Sequence, residues 1–276
     1  MGTGSMVSKD PGPEAVRKPA SHCGPNLVGL ILAAGYSSRM GAFKPLLPIG
    51  DMPALERISA ALKGAGVHRI IGVTGYQREL LAPVLEAEGI EEAYNPDFDK
   101  GMFTSIQAGI RKALSEDPAA AVGLKTRPDG FFLMLVDCPL VPSWVLEQLL
   151  KKHEEEPEAF LVPCFRGKKG HPLFIPGSYA EEILSYEGEG GLKAITNRHE
   201  DRLIRIETGT EAVVLDMDTP EGYEEILEYY DRQKDRDGNP ETGLSGGTDP
   251  PWEEALSGKR LFLIRHGEIR QHKEKI

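Results

Sequence analysis

At 276 residues the chain has room for one α/β domain of about 200 residues with an extension, or for two small domains. A formal net charge of −11 argues against a nonspecific binder of nucleic acid or anionic membrane, because either needs a broad basic face. The three cysteines, Cys23, Cys138 and Cys164, form no CxxC pair or Cys/His cluster with zinc spacing, and they fit a reducing cytosol.

The start, MGTGSMVSKDPGPEAVRKPASHCGPN, is polar and proline-rich and reads as a disordered tail over residues 1–26. No apolar run approaches the roughly 18 residues needed to span a bilayer. From Leu27 to about Arg232, apolar runs alternate with amphipathic segments, which predicts an α/β domain: a Rossmann-like, mostly parallel sheet with helices on both faces. The predicted strands are Leu27–Leu32, Arg69–Thr74, Phe131–Val136, Phe160–Pro163, Leu173–Ile175, Leu203–Glu207 and Ala212–Asp216. The predicted helices are Ala54–Lys63, Gln77–Glu88, Ser105–Leu114, Trp144–Glu154 and Glu221–Asp231. Residues 233–258, dense in Gly, Pro, Asp and Thr, read as a linker, and residues 259–276 begin with another strand-like run, Arg260–Ile264.

In open α/β sheets, ligands sit beyond the carboxyl ends of the strands. The loop after the first strand, LAAGYSSRMGAFKPLL (Leu32–Leu47), occupies such a place. Ala33, Ala34 and Gly35 leave room for backbone amides to approach a phosphate, and Gly41 relaxes the turn before Lys44. Arg39 offers a bidentate grip on phosphate oxygens, and Lys44 offers a point charge. The loop is neither a Walker A sequence nor a GxGxxG fingerprint.

Asp137 ends the run Phe131–Val136, where a carboxylate is costly unless it binds a cation or caps the next helix. Asp216 and Asp218 are two apart, so in an extended segment they share a face, while Thr219-Pro220-Glu221 reads as a helix cap. Gly101, Thr104 and Ser105 lie at a predicted helix start, where amides and hydroxyls suit an anion. Gly170-His171-Pro172 follows a local cationic patch of Arg166, Lys168 and Lys169. Cys138 reads as a small buried apolar residue.

The first loop resembles the LAAGxSxRMGxxKxLL signature of MobA-like nucleotidyltransferases, in particular the molybdenum cofactor cytidylyltransferases. Four later segments resemble that family in the same order: NPDFDKGMFTSIQAG (Asn95–Gly109), LVDCPL (Leu135–Leu140), GKKGHPLFI (Gly167–Ile175) and LDMDTPEGY (Leu215–Tyr223). The resemblance implies the nucleotide-diphospho-sugar transferase-like fold and transfer of CMP from CTP to molybdenum cofactor, with Mg²⁺ as cofactor and a molybdenum hydroxylase as the recipient of the product.

It further implies that Leu32, Ala33, Ala34, Gly35, Ser37, Arg39 and Lys44 hold the nucleotide, with Thr74, Gly75, Asn95 and Ser105. Arg39, Lys44 and Asp137 serve catalysis, and Asp137 with Asp216 or Asp218 holds the metal. Gly101, Ser105, Gln107, Gly170, His171 and Pro172 face the acceptor. The form Ala33-Ala34-Gly35 looks more like the cytidylyl branch than the guanylyl branch, which often has a second glycine at the position of Ala34. Where many members carry GDxGAR, this chain has EGEGGLKAI, so Glu189 and Lys193 stand in place of that Asp and Arg. LFLIRHGE (Leu261–Glu268) resembles the start of a histidine phosphatase, with Arg265 a phosphate ligand and His266 the phosphate acceptor, and the remainder of that site is absent. A different phosphorylated acceptor such as a sugar phosphate, or nucleotide binding without turnover, is the alternative reading.

Overall fold

A computed structural model describes residue 1, residues 25–115 and residues 127–237. In chain order the strands are β1 (Leu27–Leu32), β2 (Pro48–Ile49), β3 (Met52–Pro53), β4 (Arg69–Thr74), β5 (Glu91–Tyr94), β6 (Gly130–Leu135), β7 (Phe160–Phe165), β8 (Lys168–Lys169), β9 (Leu173–Pro176) and β10 (Leu203–Glu207). The helices are α1 (Ala54–Gly64), α2 (Arg78–Glu88), α3 (Met102–Ser115), α4 (Ser143–Glu155), α5 (Ala180–Ser185), α6 (Gly191–Arg198) and α7 (Pro220–Asp237).

The run LVGLIL of β1 is buried at every position, which places it in the middle of a sheet covered on both sides. It pairs in parallel with β4 and β6. The main sheet runs β10-β7-β9-β6-β1-β4-β5, with β9 antiparallel to both its neighbours and β8 attached to β7 as a hairpin. One apolar layer joins Ile31, Phe132 and Phe174 to Leu55, Leu62, Leu85, Leu146 and Leu149 of α1, α2 and α4. The opposite layer joins Leu30, Val73 and Phe131 to Ile106, Ile110, Ile183 and Ile195 of α3, α5 and α6. In α3 the buried Ile106, Gly109, Ile110 and Ala113 follow helical spacing, and Gly109 lets the helix lie close to Val73 and Leu30. A third cluster ties Met40, Leu47 and Ile49 of the first loop and β2 to Met217, Tyr223 and Ile226 at the far end of the domain.

Most predicted elements lie within a few residues of the observed ones. The predicted strand Ala212–Asp216 is corrected: Glu211–Val213 is a 3-10 turn whose Ala212 amide donates to Thr210 Oγ1 at 3.3 Å. Around it the backbone joins its neighbours singly, through His171 N to Val213 O at 2.7 Å and Met217 N to Asp137 O at 2.9 Å. The last helix runs to Asp237, past its predicted end and into the start of the predicted linker. Residues 2–24, with Cys23, and residues 238–276, with Arg265 and His266, lie outside the described residues. Among the described residues no helix is long and apolar enough to cross a membrane.

At the root of the β7–β8 hairpin, Gly170 N donates to Pro163 O at 2.8 Å. A Cβ on Gly170 would lie 2.2 Å from the Val213 carbonyl oxygen. Because the obstacle is backbone, Gly170→Ala is expected to cost about 1–3 kcal/mol and to lower the thermal midpoint by several degrees in a calorimetric melt.

Candidate active site

The first loop leaves β1 between two neighbours that extend the strand. Ala33 N donates to Val73 O at 2.9 Å, and Tyr76 N donates to Ala34 O at 3.1 Å. The chain then turns tightly: Ser37 has φ 53° and Gly41 has φ 69°, and the amides of Met40 and Gly41 both donate to Ser37 O at 3.1 Å. Buried Met40, Phe43, Leu46 and Leu47 pin the loop's second half, while Gly35, Tyr36, Ser38 and Arg39 stay exposed. A Cβ on Gly35 would meet nothing, so this side of the loop is open to a ligand.

Lys44 departs from the picture of a cation waiting in solvent. Its side chain is 9% exposed, and Nζ lies 2.5 Å from Asp218 Oδ1 and 3.9 Å from Asp137 Oδ2. Arg39 is exposed and pairs with the other Asp218 oxygen at 2.9 Å. Both cations of the loop therefore meet one carboxylate supplied from the segment before α7. The Lys44 hydrogen bond holds the Asp218 carboxyl below its ordinary range, with Arg39 adding to the effect against partial burial.

Asp137 stands just beyond β6, where burial pushes its carboxyl above the ordinary range, opposed by Lys44 and reinforced by Asp218. Met217 is fully buried, Asp216 is exposed and Asp218 is half-buried, in a segment that is not a ladder strand. Asp218 N donates to Asp216 Oδ1 at 3.2 Å. Among the described residues no three His, Cys, Asp or Glu side chains form a ready-made metal cluster. Two carboxylates near one ammonium fit an ion that takes its remaining ligands from phosphate oxygens and water.

His171 follows Gly170 on the same edge and forms a cis bond with Pro172. Burial lowers the affinity of its ring for a proton, and Asp137 and Asp216 pull the other way. Its Nδ1 is buried without a hydrogen-bond partner. The Cys138 thiol is raised by burial and by Asp137, which leaves it inert as a nucleophile.

The remaining predicted positions divide. Thr74 is fully buried and donates to Glu92 Oε1 at 2.5 Å, and Gly75 packs against Phe98 and Ala34 O. Asn95 is buried, and its amide donates to Thr104 Oγ1 at 2.9 Å and to Ser105 Oγ at 3.0 Å. Asn95 and Ser105 thus fasten β5 to the start of α3, and Gly101, with φ 112°, makes the turn between them. Gln107 is drawn away from the acceptor-facing role: Nε2 donates to Ile183 O at 3.0 Å and Tyr186 O at 3.1 Å, because α5 packs on α3. Glu189 and Lys193 are exposed. Unforeseen from sequence were Tyr36, Tyr76 and Phe98, whose rings meet beside the loop, and Glu207, which accepts the amides of Arg166 and Gly167 at 2.6 Å and 3.3 Å.

A profile of the MobA-like NTP transferase domain matches residues 29–203. The chain belongs to the MobA-like NTP transferase family. The molybdenum cofactor cytidylyltransferase of Escherichia coli (strain K12) is 26% identical over 203 residues, covering 73% of this chain and 95% of that relative. Among solved structures, a nucleotidyl transferase from Methanothermobacter thermautotroptrophicus superposes with a TM-score of 0.61 at 19% identity, over 76% of this chain and 100% of the other. A Mycobacterium tuberculosis H37Rv protein in complex with manganese superposes with a TM-score of 0.51 at 23% identity, over 74% of this chain and 98% of the other. The fold is that of the nucleotide-diphospho-sugar transferases, and this MobA-like domain is a nucleotidyltransferase.

The raised Asp137 carboxyl means that the folded chain holds this proton more tightly than the unfolded chain does. Its favourable contribution is present at low pH and is lost as pH rises through the raised value, which leaves a penalty at neutral pH. Asp218, held low, contributes the opposite way: its stabilisation is present at neutral pH and is lost as pH falls. Asp137→Asn is therefore expected to raise the thermal midpoint at pH 7 by about 2–4 °C. The gain should shrink as pH is lowered into the ordinary carboxylate range, which melts across a pH series would register.

Proposed function

We propose that residues 27–232 transfer CMP from CTP to the phosphate of a molybdopterin-type molybdenum cofactor and release pyrophosphate. The observation that carries this reading is the meeting of Arg39, Lys44, Asp137 and Asp218 at the open side of the first loop. An acceptor phosphate oxygen attacks the α-phosphorus in line, the bond to the bridging oxygen breaks, and the electron pair leaves with pyrophosphate. Such a displacement asks the protein for placement and charge neutralisation, and for no nucleophilic side chain.

The loop amides and Arg39 bind the triphosphate. Lys44 exchanges Asp218 for phosphate oxygens, so the ion pair of the free protein gives way to the substrate. Mg²⁺, when bound, neutralises phosphate charge, held by Asp137 with Asp216 or Asp218. On the acceptor side, the exposed Arg166, Lys168 and Lys169 form a cationic hairpin tip above Gly170, His171 and Pro172, suited to the acceptor's phosphate, and His171 orients the acceptor rather than acting as an obligatory base. The buried free thiols of Cys138 and Cys164 suit action in the cytosol, with a molybdenum hydroxylase as the destination of the product.

The presence of EGEGGLKAI where relatives carry GDxGAR favours one second reading, a nucleotidyltransferase for another phosphorylated acceptor such as a sugar phosphate. Mass spectrometry of products formed from CTP, GTP and ATP with molybdenum cofactor separates the two, and preference for GTP would overturn the cytidylyl assignment. Lys44→Ala and Asp137→Ala are each expected to lower kcat by about 10²–10³-fold in a pyrophosphate-release assay. Ala34→Gly, by loosening the loop, is expected to raise GTP turnover relative to CTP by about tenfold, a shift of roughly 1.4 kcal/mol, measured by direct competition of the two nucleotides.

A further inference from the structure

Three aromatic rings meet where the exits of three strands converge: Tyr36 after β1, Tyr76 after β4 and Phe98 after β5. The ring centroids lie 5.0 Å apart for Tyr36 and Tyr76 and 5.2 Å apart for Tyr36 and Phe98, tilted by 48° and 59°. Tyr36 remains 52% exposed, so the contact leaves a large π-surface in water. Its neighbours present it rather than bury it: Gly35 precedes it with open space at its Cβ, and Ser37 follows with φ 53°.

The floor beneath is rigid. A Cβ on Gly75 would lie 2.7 Å from Phe98 and 2.8 Å from Ala34 O, so the two strand exits are clamped with no side chain between them. Thr74 of β4 and Arg78 of α2 both bond to Glu92 of β5, at 2.5 Å and 2.7 Å, and fasten these elements together. The rings lie on the β4–β5 side of β1, whereas Asp137 lies on the β6 side and the phosphate-binding cations lie on the loop between. A ligand that carries phosphates on one end and a flat aromatic group on the other matches this order.

We propose that Tyr36, backed by Tyr76 and Phe98, is the stacking wall for the nucleobase of the bound nucleoside triphosphate, a source of affinity separate from the grip on phosphate. The inference rests on the nucleotidyl-transfer reading. Stacking is tolerant of base identity, so this wall supplies affinity for any base, whereas the choice among bases belongs to the backbone around Ala34.

The test is calorimetric titration of the full chain, with magnesium present, with CTP and with inorganic tripolyphosphate. The wild type is expected to bind CTP more tightly than tripolyphosphate. Tyr36→Ala should weaken CTP roughly tenfold and leave tripolyphosphate binding unaltered, and Tyr36→Phe, which keeps the ring, should restore CTP affinity. The wall is overturned if Tyr36→Ala binds CTP as the wild type does, if both ligands weaken equally, or if the wild type does not distinguish CTP from tripolyphosphate. Failure of the wild type to bind either ligand would instead bring down the nucleotidyl-transfer reading and this inference together.

Discussion

The pairing of Lys44 with Asp218 is the constraint on which the site depends. An ammonium as enclosed as that of Lys44 is tolerable only beside an opposite charge, and Asp218 supplies it at 2.5 Å from a point 174 positions further along the chain. The site therefore does not exist until the segment before α7 has docked against the first loop. The docking has its own apolar support, since Met40, Leu47 and Ile49 share a cluster with Met217, Tyr223 and Ile226. The hydrogen bond from Met217 N to Asp137 O then draws the exit of β6 into the same assembly. In the free protein the fold itself neutralises Lys44 through Asp218, and on the proposed reading that same pairing is what a triphosphate would replace.

The sheet was legible where burial acts on both faces. β1, β4 and β6 are continuous apolar runs because helices cover each side of them, and α3 announces itself by helical spacing. β5 escaped notice because it is an edge strand reading EEAY, with Ala93 its one buried side chain and Glu91 and Glu92 paired to Arg69 and Arg78. α6 was hidden for a similar reason: Ile195 is its one buried residue.

At the site, the motifs carried residue identity but not partnership. Arg39, Lys44, Asp137 and Asp218 were each singled out in the sequence, yet nothing local relates Lys44 to Asp218, so the enclosed ion pair was not foreseen. Gln107 illustrates the reverse, a polar residue in a motif segment whose amide is used by the backbone at the end of α5. Tyr36, Tyr76 and Phe98 are single residues in three separate loops, and their meeting depends on the parallel order of β1, β4 and β5.

The close passage of Gly170 beneath the Val213 carbonyl divides the β7–β8 hairpin into two parts with different tolerance for substitution. At the root, even a methyl group meets backbone, so a side chain there is carried only at a cost in stability. At the tip, Lys168 and Lys169 are exposed, whereas Arg166, though exposed, lies over the Phe165 ring at 5.0 Å, so the two lysines are the positions whose replacement disturbs the scaffold least. On the proposed reading, a different acceptor is met by exchanging the tip while the root keeps the hairpin in place.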